Sequence, residues 1–484
     1  MNKKKNLITA LILQIATIIS GLILPRLIIS TFGSEINGLI SSITQFLSFI
    51  SLLEGGLGAV VLAELYKPII DNDESKIKNI LNACQRFFTQ LSIIFICYTI
   101  ILGLIYAWVL RDKFDFKYTC FLVYILSFTT LVQYLFSITY KLLLQAEQKI
   151  YIVNLISTIT IILNLVFSIS LIYLYPDIHI IKLCSAVAFL IQPLCFKRFI
   201  EKKYIIRSCN KSNNYELRNR WNGFAQNLAH FVNLNTDIVV ISIFLTLSDV
   251  SVYSVYLLPI TALRSIVSSL TNSYQSALGK YFALGDTRLL NRNFNKFNTF
   301  NIFISILLFS TCMLLINPFV SLYTSGIQDT NYYQPIFALI IVIANLFYCI
   351  REPYRYLILA AGKFKETNFG AIVEAVINIV ISVILIRNYG LVGVALGTLV
   401  AILYRFIYFI YYFKNNILYK DVKKYFPNIL KISLIILLNV YVFYNNKLKV
   451  NNFFNFFEYG LVIFVIELSV SYIIFVVLRN RFEN

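Results

Sequence analysis

Arg264 and Asp237 each lie near the middle of a long apolar run. Glu54, Glu374 and Arg405 lie in the halves of their runs nearest the basic connecting loops, and Arg26 lies toward the far end of the first run. Arg351 and Arg355 are four residues apart in one run, so they share a helical face. A charge at the centre of a bilayer costs at least ~2.5–3.5 kcal/mol, so each of these groups needs a partner, a hydrated cavity or a route to the surface.

Each group has a structural and a functional reading. Arg26 and Arg355 can snorkel to the headgroups, and Arg405 can either do so or line a cavity. Arg264 and Asp237 form a pair between neighbouring helices or face a hydrated cavity. Glu54 can simply help bring its helix to the surface. Arg351-Glu352-Pro353 marks a broken helix with locally paired charges. His230 reads as a satisfied interior histidine, and His179 stands at an outer boundary. Arginine stays charged when desolvated, and its planar fork suits phosphate. A cavity holding several of these arginines favours an anionic, phosphorylated cargo, with Arg264, Arg351, Arg355, Arg26 and Arg405 as contacts. Asp237, Glu54 and Glu374 are the candidates for ion coupling or for structural pairing, and they keep a cation-handling reading open.

The elements that position these groups are membrane helices. The chain of 484 residues is 58% hydrophobic and 13% charged, with a mean hydropathy of +0.74. Soluble domains carry roughly 25% charged residues. A mainly globular enzyme, a disordered scaffold and a secreted disulfide module are therefore poor fits. Spans of about 20 apolar residues fall at roughly 6–29, 36–63, 87–110, 118–140, 150–175, 179–196, 223–247, 254–278, 298–323, 333–360, 366–386, 391–413, 428–446 and 455–478. The seventh is moderately polar and the thirteenth interrupted, which gives twelve to fourteen spans. The first is too long for a cleaved signal peptide.

The net charge of +19 is mostly an orientation signal rather than a nucleic-acid footprint. With the N-terminus inside, 29 of the 42 Lys and Arg fall on inner segments, seven on outer loops and six within spans. Both termini are therefore expected in the cytoplasm. The longer connections, 64–86, 197–222, 279–297 and 414–427, then all face inside, and the outer ones are short. That argues against membrane glycosyltransferases and polymerases, which need an elaborated outer region.

No HExxH or phosphate-loop signature is present. Gly55-Gly56-Leu57-Gly58 follows no strand and reads as helix packing or local flexibility. Gly393 and Gly397 form a GxxxG pattern expected at a close helix contact. The eight cysteines, 84, 97, 120, 184, 195, 209, 312 and 349, are dispersed, with no zinc or disulfide pattern. No cofactor is expected. The 74 Tyr and Phe do not by themselves assign a sugar platform.

Residues 32–40 open the second span and 247–256 the eighth, and related segments close them at 73–81 and 285–294. The shift of about 210–215 residues, or six spans, keeps topology and suggests parallel lobes with a site between them. The expected division is a six-helix lobe over 1–200, a second over 201–425 and two additional helices over 426–484.

Several stretches resemble the polysaccharide transport family, the Wzx-type oligosaccharide flippases of the multidrug/oligosaccharidyl-lipid/polysaccharide (MOP) superfamily. They are Asn37-Gly-Leu-Ile-Ser-Ser-Ile through Leu52-Leu-Glu-Gly-Gly-Leu-Gly-Ala to Leu65-Tyr-Lys-Pro, and Thr236-Asp-Ile-Val with Val250-Ser-Val-Tyr-Ser-Val-Tyr. A third runs from Arg351-Glu-Pro-Tyr-Arg and Ala361-Gly-Lys-Phe-Lys-Glu-Thr-Asn through Glu374-Ala-Val-Ile-Asn to Gly390-Leu-Val-Gly-Val-Ala-Leu-Gly-Thr.

The resemblance implies an all-α polytopic fold of two six-helix bundles plus two C-terminal helices. It implies transport, without enzymatic activity, of undecaprenyl-diphosphate-linked oligosaccharides from the inner to the outer face of the bacterial cytoplasmic membrane, for capsule, O-antigen or exopolysaccharide assembly. Positive cavity residues, here matched by Arg264, Arg351 and Arg355, would receive the diphosphate. Membrane lipid, a polysaccharide polymerase and its assembly machinery are the implied partners, and nucleic acid is not. The rival within the superfamily is a MATE-type Na⁺- or H⁺-coupled multidrug antiporter.

Overall fold

The computed structural model describes residues 3–54, 57–203, 224–283, 287–361, 363–416, 426–445 and 450–482. All regular structure among them is helical. The chain divides into two compact units, Met1–Leu228 and Ala229–Asn484.

The first unit contains α1 (Lys3–Phe32), α2 (Ser34–Ser48), α3 (Ser51–Glu54), α4 (Leu57–Ile70), α5 (Glu74–Val109), α6 (Phe116–Val132), α7 (Ile138–Ala146), α8 (Ile150–Leu174), α9 (Ile178–Phe189) and α10 (Ile191–Lys203). Asp side chains cap three of its helices, giving acceptors to otherwise orphaned N–H groups. Asp73 accepts from Lys76 N at 3.0 Å, Asp115 from Lys117 N at 3.1 Å and Asp177 from His179 N at 2.7 Å. The backbone N–H and ammonium of Lys76 hold the Asp73 carboxyl below the ordinary carboxylate range. His179 also ties α9 to α6, with Nε2 3.0 Å from the Tyr118 carbonyl oxygen.

Two irregularities interrupt this unit. The second expected span is interrupted between α2 and α3 at residues 49–50, and Gly55 and Gly56 lie outside the described residues. Between α6 and α7 the helix opens into one π turn over Gln133–Ser137. A π turn disturbs the i→i−4 ladder, and here Gln85 Nε2 of α5 donates to the Leu135 carbonyl, while Thr139 Oγ1 donates to Gln85 Oε1 at 2.9 Å.

The second unit comprises most of α11 (Phe224–Phe244), then α12 (Leu247–Ala283), α13 (Thr287–Tyr323), α14 (Pro335–Ala360), α15 (Phe364–Tyr389), α16 (Leu391–Asn416), α17 (Phe426–Asn445) and α18 (Phe453–Phe482). α14 packs against α12, α13 and α16, and α15 lies along α16. The GxxxG expectation is met at that contact. A β-carbon on Gly393 would stand 2.6 Å from the Leu385 carbonyl, and one on Gly397 2.8 Å from Ser382 N.

Among the described residues, twelve helical segments are long and apolar enough to cross a membrane, which makes the chain a multi-pass membrane protein. In the seventh and thirteenth expected spans the described residues form α11 and α17, with shorter apolar stretches at Asn235–Phe244 and Leu430–Asn445. Large apolar side chains such as Leu7, Leu11 and Ile15 point outward, as lipid contact requires.

Two of the expected long inner connections are not loops. Between α4 and α5 only residues 71–73 are non-helical, and α12 and α13 run on to Ala283 and from Thr287. Helices continue through polar sequence once their own hydrogen bonds are satisfied, whereas hydropathy marks only the lipid-crossing part. The break expected at Arg351-Glu352-Pro353 is also absent, since α14 is continuous through Pro353. Proline has no N–H for the carbonyl four residues back, that of Cys349, and Asn301 Nδ2 of α13 donates to that oxygen at 2.9 Å. Asn301→Leu should leave the carbonyl unsatisfied and cost about 1–3 kcal/mol, read as a lower unfolding temperature in detergent.

Candidate functional site

The charged groups of the second unit gather on α11, α12, α14, α15 and α16. Arg264 of α12 is partly exposed. Its Nη1 donates to Asn345 Oδ1 at 3.2 Å, and its guanidinium lies 4.0 Å from the Tyr348 ring centroid. Asn345, Tyr348, Arg351 and Arg355 follow at helical spacings of three, three and four, on one side of α14. The Arg351 guanidinium stands 4.7 Å from the same Tyr348 centroid, so one aromatic ring joins the two arginines.

Arg351 is buried, and its Nη1 donates to Glu374 Oε1 of α15. The other carboxylate oxygen of Glu374 lies 3.5 Å from Arg405 Nε of α16. This is a buried Arg–Glu–Arg triad, with all three residues no more than 5% exposed. Arg405 Nη1 also donates to the Thr367 carbonyl at 3.2 Å, and its guanidinium stacks 4.4 Å from the Phe409 centroid. Gly370 makes room for it, because a β-carbon there would come within 2.5 Å of Arg405 Nη1. Arg351 Nε is buried without a hydrogen-bond partner.

Arg355 turns back along its own helix. It donates in a fork to both oxygens of buried Glu352, Nε to Oε1 at 3.0 Å and Nη2 to Oε2 at 2.8 Å. The local pairing at this motif is therefore Glu352 with Arg355. Of Arg264, Arg351, Arg355 and Arg405, Arg264 is the one with no carboxylate in ion-pair distance among the described residues.

Asp237 of α11 is 4% exposed and is not ion-paired with Arg264. It sits where four helices meet. Tyr253 Oη of α12 and Thr398 Oγ1 of α16 each donate to its Oδ2 at 2.7 Å, and Asn378 Nδ2 of α15 lies 3.4 Å from Oδ1. The same amide donates to Thr398 Oγ1 at 3.0 Å, whereas Asn378 Oδ1 is buried with no partner. Two hydroxyls and an amide N–H thus converge on the buried Asp237 carboxylate. Gly397 precedes Thr398 and allows α16 to approach α15 closely enough for this contact.

Arg26 and Glu54 belong to the first unit. Arg26 is partly buried in α1 directly after Pro25, and Glu54 ends the short helix α3, also partly buried. The His230 side chain and Cys209 lie outside the described residues. Two ionisable groups were missed by the sequence reading of sites: Lys431 of α17, buried with its ammonium 5.0 Å from the Phe475 centroid, and Glu467 of α18, buried beside Asn439. The same test, an ionisable residue inside an apolar run, finds both.

This arrangement of helices is a fold shared with solved multi-pass membrane proteins. No family model and no curated protein matches the chain by sequence. Among solved structures, the chain is similar to the lipid II flippase MurJ in an inward closed conformation, with a TM-score of 0.70 and 18% identity over 96% of this chain and 98% of that one. It is also similar to an inward-facing multidrug resistance MATE family transporter of the MOP superfamily, with a TM-score of 0.61 and 14% identity over 87% and 95% of the two chains. A third similar structure is the Vibrio cholerae MATE transporter VcmN in the bent form, with a TM-score of 0.54 and 12% identity over 86% and 98%.

Proposed function

We propose that the chain is a flippase that moves undecaprenyl-diphosphate-linked oligosaccharide units from the inner to the outer face of the bacterial cytoplasmic membrane for surface polysaccharide assembly. The observation that carries the proposal is Arg264. It has no carboxylate in ion-pair distance among the described residues, its guanidinium is oriented by Asn345 and Tyr348, and it keeps partial exposure. A preoriented, still available fork is what a diphosphate needs. Likeness in fold to a lipid II flippase supports the same reading. Arg351 assists by holding Tyr348 from its other neighbour, while Arg355 and Arg405 serve the architecture through Glu352 and Glu374.

Outward movement of a negative headgroup across an inside-negative membrane is downhill by about 2.3 kcal/mol per charge per 100 mV. A cation returning by way of the Asp237 carboxylate and the Thr398 hydroxyl oxygen would reset the carrier, so we assign coupling to Asp237 rather than to Glu374. Those oxygens and the MATE-type neighbours also favour a second reading, a cation-coupled drug antiporter.

The deciding experiment places purified protein in vesicles with a fluorescently tagged undecaprenyl-diphosphate oligosaccharide and an external quencher. Protein-dependent exposure of the tag, faster with the donor side negative, is expected. A rate equal to that of empty vesicles, together with Na⁺- or H⁺-dependent dye efflux, would replace the flippase with the antiporter.

A further inference from the structure

Within the second unit, α13, α17 and α18 line most of a partly open cavity of about 710 Å³ that the proposed transport site does not use. Its wall is mainly apolar, with Leu314, Leu438, Val462 and Ile466, and buried Glu467 also lines it. Glu467 accepts one hydrogen bond, from Asn439 Nδ2 at 3.3 Å, and has no cationic partner among the described residues. That amide nitrogen also donates to the Ile435 carbonyl at 3.0 Å, so both of its hydrogens are committed. Asn439 Oδ1 is buried with no partner, and so is Ser471 Oγ, one turn along α18 on the Glu467 face.

The cluster therefore holds more acceptors than donors. A buried carboxylate without a cationic partner is costly, and a ligand bearing N–H groups on a positive head would satisfy Glu467, the member of the cluster that lines the cavity. The volume lies within the ~300–1,000 Å³ range of small-molecule sites. Glu467 is eight residues along α18 from Tyr459, an exposed aromatic that also lines the cavity, or roughly 12 Å of helix. A phospholipid headgroup stays at the interfacial level, whereas a free apolar amine can descend that far.

We infer that the cavity binds a lipophilic amine, its ammonium against Glu467 and its apolar body against α13 and α17. Full-length protein in detergent is titrated with a dansyl-tagged long-chain alkylamine, and with the alcohol of the same chain. Saturable binding of the amine is expected, weakened at least about tenfold, or ~1.4 kcal/mol, by Glu467→Gln. The alcohol should bind equally poorly to both proteins. Ile463→Trp keeps the carboxylate and fills the cavity, and it should abolish binding; it also carries the test if Glu467→Gln misfolds. Equal amine affinity in wild type and variant, or equal affinity for amine and alcohol, overturns the inference. Glu467-dependent displacement of the probe by phosphatidylethanolamine, followed by native mass spectrometry, would make the occupant a lipid headgroup and overturn the free-amine assignment.

Discussion

Arg264→Ala is expected to weaken binding of an undecaprenyl-diphosphate saccharide by roughly ten- to a hundredfold, the loss of about 1.5–3 kcal/mol of charge-assisted hydrogen bonding. The protein should remain folded, because Arg264 is partly exposed and its removal strands no buried carboxylate. Arg264→Lys should recover only part of the affinity, since an ammonium cannot present the planar fork or stack on Tyr348 in the same way. Arg355→Ala is the informative control. It removes an equal charge from the neighbouring helix, yet that charge is already bound to Glu352. Binding to purified protein and complementation of a flippase-deficient strain measure the effect. Wild-type binding and translocation by Arg264→Ala would remove Arg264 from the proposed site.

Glu374→Ala should produce the largest stability loss. It leaves the Arg351 and Arg405 guanidinium groups buried without their shared counter-charge, and breaking a buried pair on one side costs about 3–5 kcal/mol. Replacing all three members together, Arg351→Met with Glu374→Leu and Arg405→Met, should restore most of that stability, since well-packed apolar residues often match a buried ionic cluster. Unfolding temperatures of the single and triple variants in detergent provide the comparison. A single variant as stable as wild type would mean that Glu374 does not neutralise the two arginines.

The contrast between these predictions marks what could be read from residues alone. Apolar runs locate helices because the hydrocarbon must be crossed by backbone that satisfies itself, and twelve of them are long and apolar enough to span among the described residues. Asp73, Asp115 and Asp177 cap helices by a local hydrogen bond that needs no tertiary partner, though none was singled out from the sequence. Gly393 and Gly397 announce close packing for the same local reason: they lack a side chain. Continuation of α14 through Pro353 was not legible, because the donor that repairs it, Asn301, is 52 residues away in sequence. The π turn after α6 was equally hidden, its carbonyl being met by Gln85 from another helix.

Sequence by itself determined that this is a membrane helical protein and which charges it must accommodate within its spans. Only tertiary structure decided which partners those charges meet. Arg351 and Arg405 share a counter-charge because α15 brings Glu374 between them, and Asp237 accepts hydrogen bonds from Tyr253, Asn378 and Thr398. Arg264 meets an amide and an aromatic ring because α12 packs on α14. The physical reason is range: hydropathy is a property of each residue, while neutralisation of a buried charge depends on which distant residue lies within a few ångströms of it.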